Sequence, residues 1–500
     1  MNKFHVFLIC TPEMGNLIPL VQFARLLTTR DPRFSATVLI ITVEERHIVK
    51  SYVKSQATSA VDDDRITFVY LPTVDPPSPD QYTGTLGYLS LFIEKHKPHV
   101  RNVILDLMEA GYSDSMSDSV RVAGLFVDMF CTSMIEVARQ LGVPCYLYFA
   151  SPASFLGFML NYPALEAQLA TEFVDSGTEL FVPRDSSTEF TIPSFANPLP
   201  HFVLPSSVLR RGQGQDGYLW YLRHARKYKE VNGIIVNTFQ ELEPFAIRSI
   251  SGSGTPPVFP IGPVLDLVGP VQWYPDRTHQ EYIMKWLDDQ PPSSVVFLCF
   301  GSMGSLGGPQ VKEIAIGLER TRFRFLWSIR KPSTGKVDLP DEYANIEEVL
   351  PDGFLDRTVG IGLVCGWVPQ VTILAHQAIG GFVSHCGWNS VLESLWYGVP
   401  IATWPLYAEQ QMNAFELVKE LGLAVEVRLD SRKEFTNLVS GNELGRALKR
   451  LMDGGDEARR KVKEMKEKAR MSVMENGSSY NSLGSLIQEL VDLLVIELFK

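Results

Sequence analysis

Short apolar runs alternate twice with longer segments of helical spacing along this 500-residue chain, and that alternation limits the possible folds more than any other feature. In the first half the runs are Phe4–Cys10, Thr37–Thr42, Ile66–Leu71, Gly124–Asp128, Cys145–Phe149 and Gly233–Asn237. Helical spacing covers Leu17–Leu27, Tyr88–Met108 and Ser133–Leu141 between them. The pattern then restarts. Val295–Phe300, Phe323–Ile329, Ile361–Cys365, Gly381–Ser384, Ile401–Trp404 and Leu423–Val427 read as strands, with helices over Gln310–Arg320, Asn389–Trp396, Glu409–Leu421 and Glu457–Val473. Runs that are apolar throughout belong to strands covered on both faces, and strands alternating with helices build parallel sheets from βαβ units. The expectation is an α/β chain of two Rossmann-like, doubly wound parallel-sheet domains facing each other across a cleft. Ligands in such a fold sit outside the carboxyl ends of the strands.

Ser251-Gly-Ser-Gly-Thr-Pro-Pro257 and Pro260-Ile-Gly-Pro263 mark a linker. The expected division is residues 1–250 as N-terminal domain, 251–270 as linker, 271–480 as C-terminal domain, and 481–500 as a helix packing back on the N-terminal domain. Its apolar run Leu486–Phe499 is broken by Glu489, Asp492 and Glu497 and cannot cross the hydrocarbon, which needs about 20 apolar residues. The first run, Phe4–Cys10, is cut off by Pro12 and is too short for a signal peptide. Forty-six basic against 57 acidic residues give a net charge of −11 without a Lys/Arg block, which excludes a sequence-independent grip on nucleic acid. Six cysteines without C-x-x-C spacing read as reduced, buried thiols of a cytoplasmic protein with no integral membrane association. The Pro-, Ser- and Gly-rich stretch 173–217 reads as a long functional loop.

Two strand-to-helix turns draw attention. Phe300-Gly-Ser302-Met-Gly304-Ser-Leu-Gly307-Gly308 offers small residues, free backbone N–H groups and a hydroxyl to a phosphate, although its spacing is not that of a dinucleotide fingerprint. Ser384-His385-Cys-Gly387-Trp388-Asn389-Ser390-Val-Leu-Glu393 joins a strand end to a helix start, where an anion meets unpaired N–H groups and the positive end of the helix dipole. Glu393 lies one turn below Asn389 on the same face.

The 44 residues from Trp367 to Gln410, WVPQVTILAHQAIGGFVSHCGWNSVLESLWYGVPIATWPLYAEQ, resemble the donor signature of plant family 1 UDP-dependent glycosyltransferases. The linker, the Phe-Gly-Ser turn and the overall length agree, and Val-Asp-Met-Phe-Cys looks most like the branch that glucosylates phenolics and terpenoids. The resemblance implies a GT-B fold and the following donor site. Trp367 stacks on the uracil, with the Val368 backbone at its edge. Glu393 accepts from the ribose hydroxyls, with Gln370 assisting. His385, Gly387, Asn389, Ser390 and Ser302 hold the diphosphate, and Glu409 and Gln410 read the sugar hydroxyls beside Trp388. Gln410 favours UDP-glucose. Taken singly, Trp367 fits a core aromatic and Glu393 a surface carboxylate, so it is their joint spacing that carries the assignment. The implied reaction needs no cofactor and no metal, since UDP-glucose is a co-substrate and hydrogen bonds stabilise the leaving UDP. The single D-x-D, within Asp62-Asp63-Asp64, reads as a solvated loop.

Relatives carry a general-base His in a loop after the first strand, oriented by an Asp after a later one. Here that loop is Thr11-Pro-Glu13-Met-Gly-Asn16-Leu17, with Asn16 where the His is expected; the Asp is matched by Asp128. Asn does not titrate near neutral pH, so it cannot be the base. Three readings stay open: transfer continues with Asn16 positioning the acceptor and Asp128 or Glu13 handling the proton; the acceptor needs no strong base; or the chain binds UDP-sugar with little or no turnover. Phe149, Phe155 and Met159, with the Tyr82–Phe92 loop, are candidate walls for a small lipophilic acceptor. The expected protein is a monomeric inverting UDP-glucosyltransferase. A nicotinamide dehydrogenase lacks its glycine fingerprint here, and an animal-type membrane glucuronosyltransferase would need a signal peptide and a membrane span.

Overall fold

The computed structural model describes residues 3–43, 47–58, 65–113, 120–175, 181–183, 187–211, 216–252, 254–269, 277–333, 340–430, 438–453 and 457–497. Its first sheet contains β1 (Lys3–Ile9), β2 (Phe34–Ile40), β3 (Ile66–Tyr70), β4 (Val120–Asp128), β5 (Cys145–Phe149), β6 (Gly233–Val236) and β7 (Val258–Pro260), in the spatial order β3-β2-β1-β4-β5-β6-β7. The second contains β8 (Val295–Cys299), β9 (Arg324–Ser328), β10 (Gly362–Cys365), β11 (Ile379–Ser384), β12 (Ile401–Thr403) and β13 (Ala424–Glu426), in the order β13-β12-β11-β8-β9-β10. Every pairing in both sheets is parallel.

In each sheet the strand order reverses once, between β1 and β4 and between β8 and β11. Chains leaving two such neighbouring strands diverge over opposite faces, which opens a crevice at their carboxyl ends. Register places the loops. Ile9 pairs with Val127, so Thr11 emerges beside Asp128. Cys299 pairs with Ser384, so Gly301 emerges beside His385.

Aromatic packing holds the sheets under these loops. Phe23 of the helix Met14–Arg30 stacks on Tyr148 and meets Phe126 edge-on, with both centroids 5.1 Å away. Phe297 and Phe382 stack at 5.1 Å in the second sheet. Each such ring removed from water contributes about 1.5–3 kcal/mol. All six cysteines are buried and free.

The chain divides into two compact units. One is Met1–Ala196, Ser207–Leu265 and Met471–Lys500; the other is Asn197–Ser206 and Asp266–Arg470. The sequence boundaries differ from these in three places. Val258–Pro260, expected in a linker, is the edge strand β7; Ile234 N–H donates to Pro257 O and Ile261 N–H to Val236 O, and the missing N–H of Pro260 costs nothing at an edge. Residues 197–206 join the second unit, where Asn197 donates twice to Glu420 Oε1 at 2.9 Å and Gln411 Nε2 to Leu204 O at 2.9 Å. The chain rejoins the first unit at Met471 rather than at 481, because the Ser472 and Ser479 hydroxyls both donate to Gly262 O. The closing helix Ser478–Glu497 then lies on β7 and β4, with the Tyr146 hydroxyl donating to Glu489 at 3.2 Å. No described helix is long and apolar enough to cross a membrane.

One helical and one loop expectation also change. Tyr88–Met108 is two helices, Thr85–Glu94 and Lys97–Ser113, because Pro98 is tolerated only in a first turn; the helix from Thr85 replaces most of the expected Tyr82–Phe92 loop. Within 173–217 the structure shows paired strands: Phe173–Asp175 pairs antiparallel with Phe181–Pro183, and Glu189–Phe190 pairs with Leu199–Pro200.

One buried carboxylate is central to the first unit. Glu243 Oε2 and Oε1 accept from the Ala153 and Ser154 N–H groups at 2.9 and 2.8 Å, capping the helix Ala153–Glu172 where its dipole favours negative charge. Glu243→Ala strands two buried donors and should cost about 2–4 kcal/mol. The urea midpoint followed by circular dichroism measures this, and an unchanged midpoint would count against the cap.

Candidate active site

The second unit brings together most residues singled out in its half of the sequence. The turn after β8 needs glycine: Gly301 has φ +76°, and a Cβ on Gly304 would lie 1.9 Å from Phe300 O. Beyond β11, His385 is buried with its Nε2 between Gly301 and Gly387, where a Cβ on either glycine would approach to 2.5 Å. Burial pushes His385 down to about 4, so the imidazole is neutral at pH 7 and carries one N–H to donate. Its Nδ1 is buried without a hydrogen-bond partner among the described residues.

Cys386 follows with φ +63°, a left-handed conformation unusual for a side chain with a Cβ. Its N–H donates to Ser384 Oγ at 3.1 Å, and its carbonyl accepts from Asn413 Nδ2 at 2.9 Å. Backbone strain of this kind persists only where the surroundings over-determine it, and it concentrates at functional loops. Sequence reasoning missed Asn413; the signal available was its position one helical turn after Gln410.

Gly387 then caps the helix Trp388–Tyr397, whose first N–H groups accompany His385 and the Gly301 turn. Neutral donors, a helix N-terminus and two glycines make a cradle suited to an anion. Ser302 is exposed on the turn, whereas the Trp388 side chain is buried, so at that position only the backbone faces a ligand.

Gln370 Nε2 donates to Ser390 Oγ at 2.8 Å and to Glu393 Oε2 at 2.7 Å, joining three residues of the expected ribose and phosphate contacts. Burial pushes Glu393 up to about 7; the Gln370 hydrogen bond opposes the shift and the Asp266 charge adds to it. Trp367 is half-buried and Val368 buried, which leaves indole surface open and offers only the Val368 backbone. Ala408, at φ +57°, turns the chain into Glu409 and Gln410. Gln410 Oε1 accepts from the Leu406 and Tyr407 N–H groups at 2.9 and 3.1 Å, so its Nε2 remains to donate.

In the first unit, Asp128 is buried and its two oxygens accept four N–H groups. Oδ2 takes Thr11 N–H at 2.6 Å and Asn16 Nδ2 at 3.2 Å; Oδ1 takes Phe130 and Cys131 N–H, both at 2.9 Å. Burial raises its pKa and these bonds oppose the rise. The Cys10 and Cys131 thiols are pushed well up by burial and by the Asp128 charge. A carboxylate accepts only, so the Asn16 amide must turn its NH₂ to Asp128 and its Oδ1 away. Glu13 precedes the helix Met14–Arg30, and its carbonyl accepts from Asn16 and Leu17 N–H.

The expected aromatic wall is corrected. Phe149, Phe155 and Met159 have no exposed surface, and Phe155 lies between Phe149 and Phe158 at 5.9 and 5.8 Å. They form core, because β5 and the helix Ala153–Glu172 turn them inward; the half-buried Tyr82 and Tyr88, edge-to-face at 5.2 Å, present aromatic surface instead. Asp62-Asp63-Asp64 lies outside the described residues, among which no cluster of His, Cys, Asp and Glu could hold a metal ion.

The family model described as "UDP-glucoronosyl and UDP-glucosyl transferase" matches residues 234–465. UDP-glycosyltransferase 43 of Pueraria montana var. lobata is 53% identical over 98% of this chain and 100% of its own length. UDP-glucose flavonoid 3-O-glucosyltransferase 6 of Fragaria ananassa is 46% identical, covering 96% of this chain and 97% of its own. Among solved structures, Medicago truncatula UGT71G1 complexed with UDP-glucose superposes with a TM-score of 0.85 at 39% identity, over 98% of both chains. Phytolacca americana UGT2, complexed with UDP-2fluoro-glucose and pterostilbene, gives 0.79 at 32% identity, over 97% of this chain and 99% of the other. With its two parallel-sheet domains and full-length relatives, the chain belongs to the plant UDP-dependent glycosyltransferases of the GT-B fold.

Proposed function

We propose that the chain transfers glucose from UDP-glucose, with inversion, to the hydroxyl of a small lipophilic phenolic acceptor, and that Asn16 positions this acceptor without taking its proton. The observation that carries the reading is the hydrogen bond from Asn16 Nδ2 to Asp128. It leaves Oδ1 to accept from an acceptor hydroxyl, as the second nitrogen of a histidine would. The acceptor oxygen bonds to the anomeric carbon as the bond from that carbon to the UDP oxygen breaks. UDP departs with the electron pair, its charge met by the helix N-terminus at Gly387, Asn389 and Ser390, by Ser302 and by neutral His385.

The acceptor's proton passes to solvent water. Asp128 already accepts two N–H groups on each oxygen, which fits a role in holding Asn16 rather than in abstracting a proton. A phenol, with a pKa near about 10, ionises far more readily than an alkyl alcohol and tolerates a missing base. The flavonoid hydroxyl in the Fragaria relative's name and the pterostilbene in the Phytolacca complex support an acceptor of this class. Trp367 and Val368 would take the uracil, Glu393 and Gln370 the ribose, and Glu409 and Gln410 the glucose hydroxyls.

Asn16→His restores a general base worth about 10²–10⁴-fold, and the gain should be far larger on alkyl alcohols than on phenols. Mass spectrometry of products from UDP-glucose with a mixed acceptor panel tests this, and an equal gain on both classes would refute it. Asp128→Ala should lower turnover at least about tenfold on every acceptor, since the loop loses its anchor. If no acceptor yields product while UDP still raises the melting temperature, the chain is a UDP-sugar-binding protein with little or no turnover.

Glu393 gives a pH prediction. Its ionised form is the better acceptor for ribose hydroxyls, so UDP affinity measured by calorimetry should fall as pH drops through about 7. Glu393→Gln should bind more weakly and flatten the profile. For the free protein the sign is opposite: the folded carboxyl titrates above its unfolded counterpart, so its stabilising contribution is complete below the ordinary carboxylate range and is lost as pH rises through about 7.

A further inference from the structure

We propose that Glu342 is a positioning residue for the donor, fixing the single peptide unit that aims the Trp367 indole. The inference rests on the reading of Trp367 as the uracil platform. The peptide between Gly366 and Trp367 is pinned at both ends: its carbonyl accepts from Ser328 Oγ at 2.7 Å, and its N–H donates to Glu342 Oε1 at 3.0 Å. Held in this way, the peptide plane fixes the position of the Trp367 α-carbon, from which the side chain leaves the backbone. The carboxylate lies against the Gly366 α-carbon. A Cβ there would come within 2.6 Å of the carboxyl carbon and 2.7 and 2.9 Å of its oxygens, so glycine is required for the clasp to close.

Glu342 is itself held by a short strap. Lys331 and Asp341 exchange backbone hydrogen bonds of 2.8 and 3.1 Å in an isolated antiparallel bridge, and Glu342 is the next residue. Arg330, just before the bridge, donates to Ser302 O at 3.0 Å and to Pro340 O. One strap thus ties the turn expected to hold the diphosphate to the peptide expected to aim the uracil platform. None of Arg330, Ser328 and Glu342 lies in the 367–410 signature, and no motif marks them in the sequence. A binding platform has to be held to within about 10–20°, and the two hydrogen bonds restrict the peptide that carries it.

The test compares UDP binding by calorimetry in wild type, Glu342→Ala, Glu342→Gln, Trp367→Ala and the Glu342→Ala/Trp367→Ala double variant, with melting temperatures of the free proteins recorded alongside. One lost charge-assisted hydrogen bond corresponds to about a tenfold weakening for Glu342→Ala. Glu342→Gln keeps an acceptor oxygen and should recover most of it. In the Trp367→Ala background, Glu342→Ala should change nothing further, because its effect passes through the indole. Glu342→Ala binding as tightly as wild type while Trp367→Ala binds weakly overturns the strap alone. An additive double variant, or a weakening not recovered by Gln, does the same. Trp367→Ala binding as wild type overturns the platform reading and the strap with it.

Discussion

A parallel sheet whose strand order reverses has to leave its connections on opposite faces, and this chain meets that constraint twice. The placement of the loops follows from it. Between β1 and β4 the reversal brings Thr11 and Asn16 to Asp128; between β8 and β11 it brings Gly301 to His385. Residues far apart in the chain meet because strands on either side of a reversal end at the same edge. The chemistry of both half-sites is therefore carried by loops, while the strands beneath them are sealed by Phe23, Phe126, Phe297 and Phe382.

The two half-sites handle charge differently. In the first unit a buried carboxylate is kept in place by four N–H groups, which offset part of its desolvation and leave no strong base beside it. In the second, the groups gathered by the loops are neutral donors: a histidine whose charged form burial disfavours, a helix N-terminus and glycine-rich backbone. A net charge of −11 makes neutral local donors the means of holding an anion, since the field of the whole molecule gives no help. Asn16 fits the same logic, since it donates to Asp128 through a side chain that does not titrate near neutral pH.

Left-handed backbone is concentrated near the expected donor contacts. Gly301, Cys386 and Ala408 all have positive φ, and each sits at a turn bordering the expected donor contacts. Asn413 and Ser384 steady Cys386, and the Gln410 amide steadies the segment before it. These supports convert strained turns into preorganised ones.

Apolar runs without a period of two and helical spacing, read along the chain, determined a doubly wound α/β fold, because local patterns record which faces are buried, and the stretch from Trp367 to Gln410 carried the resemblance to the family. Asn16 and Asp128 were legible as a pair through the same resemblance; Asp128 ends β4, whereas Asn16 lies in the first turn of the helix that follows β1. Only the tertiary structure decided that Phe149, Phe155 and Met159 are core, since an aromatic run looks alike whether it lines a pocket or a sheet. It alone joined Val258–Pro260 to the first sheet and returned the chain there at Met471, because edge pairing and two serine hydroxyls on one carbonyl carry no local signature. The clasp of Glu342 on the Trp367 amide likewise depends on two segments 25 residues apart meeting across one peptide bond, and spacing alone does not encode such contacts.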